Sequence, residues 1–359
     1  MNDTQLYFFG FSFWKQKQTQ KFFTSTNTQK IYFCKTFNEA IKHKINKDSK
    51  VYIWGKKDFQ DVEIFCKKEN ITLNRVEDGF VRSVSLGSDL TKAYSLVVDS
   101  RGIYFDPTTK SDLEHILQTY LFDDNMLDRA KELRKYLVEK KLSKYNTHKN
   151  KTISFKTHKK IVLVVGQVED DASIIYGGDN MRNLELLKKV KQTSDGFIVY
   201  KPHPDVLAGN RKGHIEDKDI YLYADEQILD ISLPSLLEAC DELHTITSLS
   251  GFEALLREKK VYTYGMPFYA GWGLTVDEKI CKRRDRKVSI DELVAATYIL
   301  YPRYLNPKTN TSCEAEVLIE ELEKLKNRYN DDKIYRFFTN IRNFISRKIQ
   351  LLIKICLNK

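Results

Sequence analysis

The chain has 359 residues, of which 42% are apolar and 30% charged. That is enough for two domains with separate cores, and it excludes a disordered or fibrous chain. The net charge of +10 calls for an anionic partner: a nucleic acid, an anionic membrane surface or an acidic substrate.

Residues 6–11 are apolar but short and lack a preceding basic region, so they read as a first buried strand and not as a secretory signal. Residues 31–34, 51–55 and 72–76 read as strands, with helices at 39–47 and 59–69 between them; this alternation predicts a parallel sheet. Residues 95–99 and 102–105 read as two more strands around a hairpin turn at Asp99-Ser100-Arg101-Gly102. Helical patterns follow at 113–121 and 126–142, and then a polar, basic stretch with little periodicity that reads as a linker. A second β/α series has strands at 160–166, 196–200, 220–223, 243–246 and 261–264, with a helix at 183–190. The expected architecture is α/β: two Rossmann-like domains facing across a cleft, at 1–145 and 160–310, joined by a linker at 146–159. Residues 311–359 are expected to form C-terminal helices.

The tail 333–359 has seven basic residues and no acidic one. Ile334, Phe337, Phe338, Ile341, Phe344, Ile345 and Leu352 recur at helical spacing. A basic amphipathic helix of this kind is either a membrane-surface element or a terminal helix docked on its own protein. No run of about 18 apolar residues suggests a transmembrane helix. The six cysteines are widely spaced and include no C-x-x-C pair, which argues against a zinc site and for a reduced, cytoplasmic setting.

Five segments carry candidate chemistry. Tyr200-Lys201-Pro202-His203-Pro204-Asp205 sets two cations at the carboxyl end of a strand, where open α/β sheets bind ligands. Lys201 and His203 can neutralise a phosphate, and His203 can protonate it as it departs; the plain alternative is a Pro-kinked loop. Thr245-Ile246-Thr247-Ser248-Leu249-Ser250-Gly251-Phe252-Glu253 runs from a strand through hydroxyls into a helix start. Ser248 and Ser250 can donate to phosphate there or act as ordinary N-caps, and Glu253 can accept from a ribose hydroxyl. In Gly166-Gln167-Val168-Glu169-Asp170-Asp171, three adjacent acids fit a nucleophile or base, an N-cap, or metal ligation. In Arg75-Val76-Glu77-Asp78-Gly79 a carboxylate at a strand end fits a general base or a solvated turn. The aromatic, Gly-rich stretch 265–275 can wall a sugar or base pocket or form a packed loop. No P-loop or G-x-G-x-x-G motif occurs.

These segments, with Gly102-Ile103-Tyr104-Phe105-Asp106-Pro107 and Leu142-Ser143-Lys144-Tyr145-Asn146, resemble the KpsC-type β-Kdo transferases of capsule polysaccharide synthesis over roughly residues 75–300. Kdo is an acidic eight-carbon sugar. The family usually joins two transferase modules in one chain, and this sequence resembles one module, the C-terminal one most. The resemblance implies a GT-B-like fold, CMP-Kdo as donor, and retention at the anomeric carbon by double displacement. It implies Asp171 as nucleophile and Glu77 as base for the acceptor hydroxyl. Gln167, Lys201, His203, Ser248, Ser250 and Glu253 would bind the donor, with no cofactor and no metal. The implied acceptor is a Kdo-terminated phosphatidylglycerol, met at the inner membrane by a cytoplasmic, peripheral enzyme beside other capsule biosynthesis and export proteins, without nucleic acid. A nucleotide-sugar epimerase and a non-catalytic export scaffold are the other readings.

Overall fold

The computed structural model describes residues 4–24, 29–83, 91–144, 152–209 and 211–357. The stretch 84–90 and the opening of the expected linker lie outside the described residues. The chain forms two compact units, Met1–Gly102 with Tyr298–Lys359, and Ile103–Ser143 with His148–Thr297; Lys144 returns to the first.

The first unit begins with β1 (Gln5–Phe9), α1 (Phe13–Lys21), β2 (Lys30–Cys34), α2 (Phe37–Lys42), β3 (Lys50–Trp54), α3 (Gln60–Lys68), β4 (Leu73–Asp78) and β5 (Ser95–Asp99). β2, β1, β3 and β4 lie side by side and parallel. Because both faces of β1 are covered, Leu6 to Phe9 are apolar in succession rather than alternating. Leu6 and Phe8 enter one core with Phe11, Phe23, Tyr52 and Trp54, while Tyr7 and Phe9 enter the other with Val51, Ile53, Val62 and Cys66. Phe8 stacks on its register partner Tyr52 at 4.7 Å.

The second unit follows with α4 (Asp112–Thr119), α5 (Asp124–Glu139), β6 (Ile161–Val165), α6 (Ala172–Gly177), α7 (Asn183–Thr193), β7 (Phe197–Lys201), α8 (Pro204–Leu207), α9 (Asp217–Tyr223) and β8 (Glu226–Gln227). It continues with α10 (Leu233–Ala239), β9 (Glu242–Thr245), α11 (Leu249–Leu255), β10 (Lys260–Thr263), β11 (Val276–Asp277) and α12 (Ile290–Val294). Its sheet is parallel, in the order β11-β10-β9-β6-β7-β8. The chain therefore winds outward from β6 in one direction and then from β9 in the other. β6 and β9 flank the switch point, where doubly wound sheets open a crevice for ligands.

After a π-helical turn at Ala295–Leu300, the chain re-enters the first unit with β12 (Pro302–Leu305), β13 (Ser312–Cys313), α13 (Ala315–Asp331) and α14 (Lys333–Leu357). β12 pairs antiparallel with β5, which itself runs antiparallel to β4.

Four sequence expectations are corrected. Residues 102–105 form no strand: Asp99 accepts from the N–H groups of Arg101 and Gly102, turning the chain, and the antiparallel partners of β5 are β4 and β12. Residues 220–223 end helix α9; only Ile220 is buried, and Tyr221 and Leu222 face solvent. Residues 103–143 group with the second unit rather than the first, because Arg134 of α5 pairs with Asp291 of α12 at 2.8 Å and with Glu258. Residues 298–310 return to the first unit because β12 completes its sheet.

Candidate donor and base sites

In the second unit, three adjacent strands end together: β7 at Lys201, β6 at Val165 and β9 at Thr245. Gln167 ties these ends. Its Oε1 accepts from the Thr247 N–H at 2.8 Å and from Thr245 Oγ1 at 3.2 Å, and its Nε2 donates to Thr247 Oγ1 at 3.1 Å. Its own N–H donates to Asn183 Oδ1, while Asn183 Nδ2 donates to the carbonyls of Gln167 and Gly213. Both side chains are buried. Gln167, expected to bind donor, ties together the two loops beside the switch point. A Cβ on Gly166 would overlap the Tyr200 hydroxyl, so only glycine fits where the chain leaves β6.

Lys201 is buried at the end of β7, and its Nζ donates to the Leu229 carbonyl at 3.3 Å. Burial pushes its ammonium down to about 8, against the opposing pull of Asp230. His203 caps α8, its Nδ1 accepting from the Asp205 N–H at 3.1 Å. In the neutral ring that acceptor role puts the proton on Nε2.

Ser248 caps α11: its Oγ accepts from the Ser250 N–H at 3.1 Å and donates to Ser250 Oγ at 3.0 Å. Behind it, the buried Tyr269 hydroxyl donates to the Ser248 carbonyl. Glu253 lies one turn inside α11 and is buried. A Cβ on Gly251 would overlap the Tyr269 hydroxyl. Gly251→Ala should therefore push Tyr269 off Ser248, lowering stability by about 1–3 kcal/mol and weakening donor binding. Thermal melting and donor calorimetry check this; a variant with native values for both would show that Tyr269 does not fix the helix start.

The three adjacent acids have separate fates. Glu169 accepts from the Asn183 N–H at 2.9 Å and pairs with Arg182 at 3.3 Å. Asp170 pairs with Arg211 at 3.0 Å. Asp171 is exposed and is the N-cap of α6, its Oδ1 accepting from Ser173 N at 3.0 Å and Ser173 Oγ at 2.8 Å. Oδ2 has no hydrogen-bond partner among the described residues. No group of three or more His, Cys, Asp or Glu side chains among the described residues is placed to hold a metal ion.

The 265–275 stretch is a packed loop. Tyr269 and Trp272 are fully buried, Trp272 Nε1 donates to the Phe268 carbonyl, and Arg284 Nη1 donates to the carbonyls of Pro267 and Ala270 while its Nε pairs with Glu114.

In the first unit, Glu77 and Asp78 end β4. Lys15 donates to Asp78 at 3.1 Å from a seat 3.5 Å over the Trp54 ring, and the fully buried Arg82 donates to the same carboxylate at 2.9 Å. Burial alone would raise Asp78, but Lys15, Arg82 and Lys144 together hold it down at about 2. Burial pushes the neighbouring Glu77 up to about 7; Lys15 opposes the rise and the Asp78 charge adds to it. Two adjacent carboxyls are thus driven apart, Asp78 downward by its three cations and Glu77 upward by burial.

Sequence reasoning missed Asn183, Thr245, Thr247 and Tyr269 as supports of the site. Each is an ordinary helix-start, strand or loop residue in the sequence, and its role arises from partners 16 to 80 residues away.

Two Rossmann-like α/β units with polar residues gathered at the carboxyl ends of parallel strands define a protein of the GT-B-like class. Residues 49–304 match the family model described as capsule polysaccharide biosynthesis protein. The chain belongs to that family. It is 43% identical over 335 residues to the capsule polysaccharide modification protein LipA of Neisseria meningitidis serogroup A, covering 92% of this chain and 47% of that protein. It is 38% identical to the lipopolysaccharide-processing protein LpsZ of Rhizobium meliloti, covering 89% and 74%. Two solved structures of Thermosulfurimonas dismutans KpsC are similar. The beta Kdo 2,7 transferase is 34% identical with a TM-score of 0.72, over 90% of this chain and 99% of that one. The beta Kdo 2,4 transferase is 30% identical with a TM-score of 0.77, over 90% and 98%. The chain spans about half the length of LipA.

Proposed function

We propose that this chain is a retaining β-Kdo transferase module that takes Kdo from CMP-Kdo and extends a lipid-linked oligo-Kdo linker of a capsular polysaccharide. The observation that carries the reading is its similarity to both KpsC transferase structures over nine-tenths of its length. The two strand-end clusters supply groups suited to the chemistry.

In this reading the donor phosphate sits by Lys201, the His203 ring and the hydroxyl-lined start of α11, with the ribose toward Glu253. Asp171 Oδ2 attacks the anomeric carbon as the bond to the CMP oxygen breaks, and the electron pair leaves with the phosphate. Lys201 and His203 stabilise that charge, and no step calls on a metal or cofactor. The acceptor oxygen then displaces Asp171 as a base takes its proton, the role for which Glu77 is the candidate. Two inversions give net retention. The acceptor is a Kdo-terminated phosphatidylglycerol, which places the module peripherally on the inner membrane among capsule biosynthesis and export proteins.

The test is transfer from CMP-Kdo, generated in situ, to a synthetic water-soluble Kdo-terminated acceptor, followed by mass spectrometry and NMR of the product. A gain of one Kdo in β linkage is the expected result. Donor conversion without acceptor elongation would replace the reading with an epimerase, and donor binding without turnover would leave a scaffold.

A further inference from the structure

Helix α14 is packed inside out. At 100° per residue, Ile334, Phe337, Phe338, Ile341, Phe344 and Ile345 fall within an arc of about 120°. An amphipathic helix docked on its own domain buries such an arc. Here all six are exposed, Ile334 by 71%, Phe338 by 64% and Ile341, the least, by 40%. Thr339 and Asn343, on the opposite side of the helix, are buried instead. The helix is held by polar contacts: Tyr329 Oη of α13 donates to Asn340 Oδ1 at 2.7 Å, Arg336 donates to the Asn330 carbonyl at 2.9 Å, and Arg328 lies 4.4 Å over the Tyr335 ring. The chain's own contacts thus occupy the polar side of α14 and turn its aromatic side outward.

An exposed apolar stripe of this size marks a surface for another apolar partner. The charges say which kind. Lys333, Arg342 and Lys348 are exposed along the helix, and residues 333–359 contain no acidic residue. A second copy of the chain would bring two such all-cationic helices together, setting like charges face to face. An anionic bilayer meets both features at once, with acyl chains for the phenyl and isoleucine side chains and lipid phosphates for the cations. No helix among the described residues is long and apolar enough to cross a membrane, so α14 would lie in the interface plane.

We propose that the Ile334–Phe337–Phe338–Ile341–Phe344–Ile345 face of α14 is the membrane-embedded surface of the protein, selective for anionic phospholipid. This deepens the membrane placement in the proposed function and does not depend on the transfer reaction. Turnover of the soluble acceptor reports on the transfer site and vesicle binding on α14, so either can fail alone.

The test is flotation of the full chain with vesicles of phosphatidylcholine alone or mixed with phosphatidylglycerol, at low and high salt. The chain is expected to float with the mixed vesicles and to be released by salt. Phe337→Asp with Phe338→Asp should cut partitioning by about tenfold or more. Arg342→Glu should cut it by at least about fivefold on mixed vesicles only. Both phenyl rings are exposed, so the melting temperature of the double variant should match the parent and exclude misfolding. The proposal is overturned if the double variant floats as well as the parent, or if the parent floats with neither vesicle. It is also overturned if light scattering shows a dimer that the double substitution converts to monomer, which would make a second copy the occupant.

Discussion

Asp171→Asn should abolish Kdo transfer, by about a thousandfold or more in kcat, while leaving the melting temperature within a degree or two of the parent. The two readouts separate because the proposed nucleophile is also an N-cap. Its Oδ1 caps α6 through Ser173, and asparagine caps a helix about as well as aspartate does. The asparagine variant would keep that cap and lose only the anionic oxygen proposed to attack the anomeric carbon. Asp171→Ala should lose both, with a further drop in stability of about 1 kcal/mol. With donor but no acceptor, the parent should carry one Kdo on the peptide containing Asp171, and the asparagine variant none. An asparagine variant with parental turnover would reduce Asp171 to a cap and remove the double displacement. The neighbouring acids cannot easily replace it: Glu169 and Asp170 are already engaged by Arg182 and Arg211.

The segments of the candidate site stand out in the sequence, because strand ends in a parallel sheet carry a local signature. β6 and β7 are apolar runs that stop at Gly166 and at Lys201-Pro202, and their neighbours β9 and α11 are joined by hydroxyls. The hydroxyls of Thr245, Thr247, Ser248 and Ser250, four within six residues, need no distant partner to be noticed. Long-range pairing left no comparable trace. Nothing in residues 302–305 says that they lie against 95–97, some two hundred positions earlier, yet that pairing decides which unit receives the C-terminal helices. Residues 220–223 carried the composition of a strand. Asp217 and Asp219 favour a helix start, and packing of Ile220 against α7 settles the segment as helical. The sequence offers Gln167 as a donor-binding candidate but not as a cross-strand tie, since Thr245, Thr247 and Asn183 reach it only after the sheet has formed. In α14 periodicity gave the helix and its apolar stripe. Only the structure shows which side the protein keeps for itself.

Glu77→Gln should lower transfer by about a hundredfold and remove an acidic limb from the pH profile. In the parent that limb should have its midpoint near 7, where burial and the Asp78 charge have moved the Glu77 carboxyl against the pull of Lys15. In the proposed mechanism the acceptor hydroxyl needs the ionised form, so activity should rise with pH through about 7 with unit slope and then level. Asp78 cannot supply the limb, because Lys15, Arg82 and Lys144 keep it ionised far below that range. Stability should move in the opposite sense. A carboxyl raised on folding binds its proton more tightly in the native state, so the fold loses stability as pH climbs from the ordinary carboxylate range to about 7, and the loss is complete above it. A glutamine at this position carries no such charge, and the variant should therefore melt higher relative to the parent at pH 8 than at pH 5. Opposite signs in activity and stability at one residue mark a base held in an environment that disfavours its working form. A parental profile flat between pH 6 and 8, or a glutamine variant that keeps the acidic limb, would move the base to another residue. A glutamine variant no more stable at high pH than at low would mean that Glu77 ionises freely and carries no such strain.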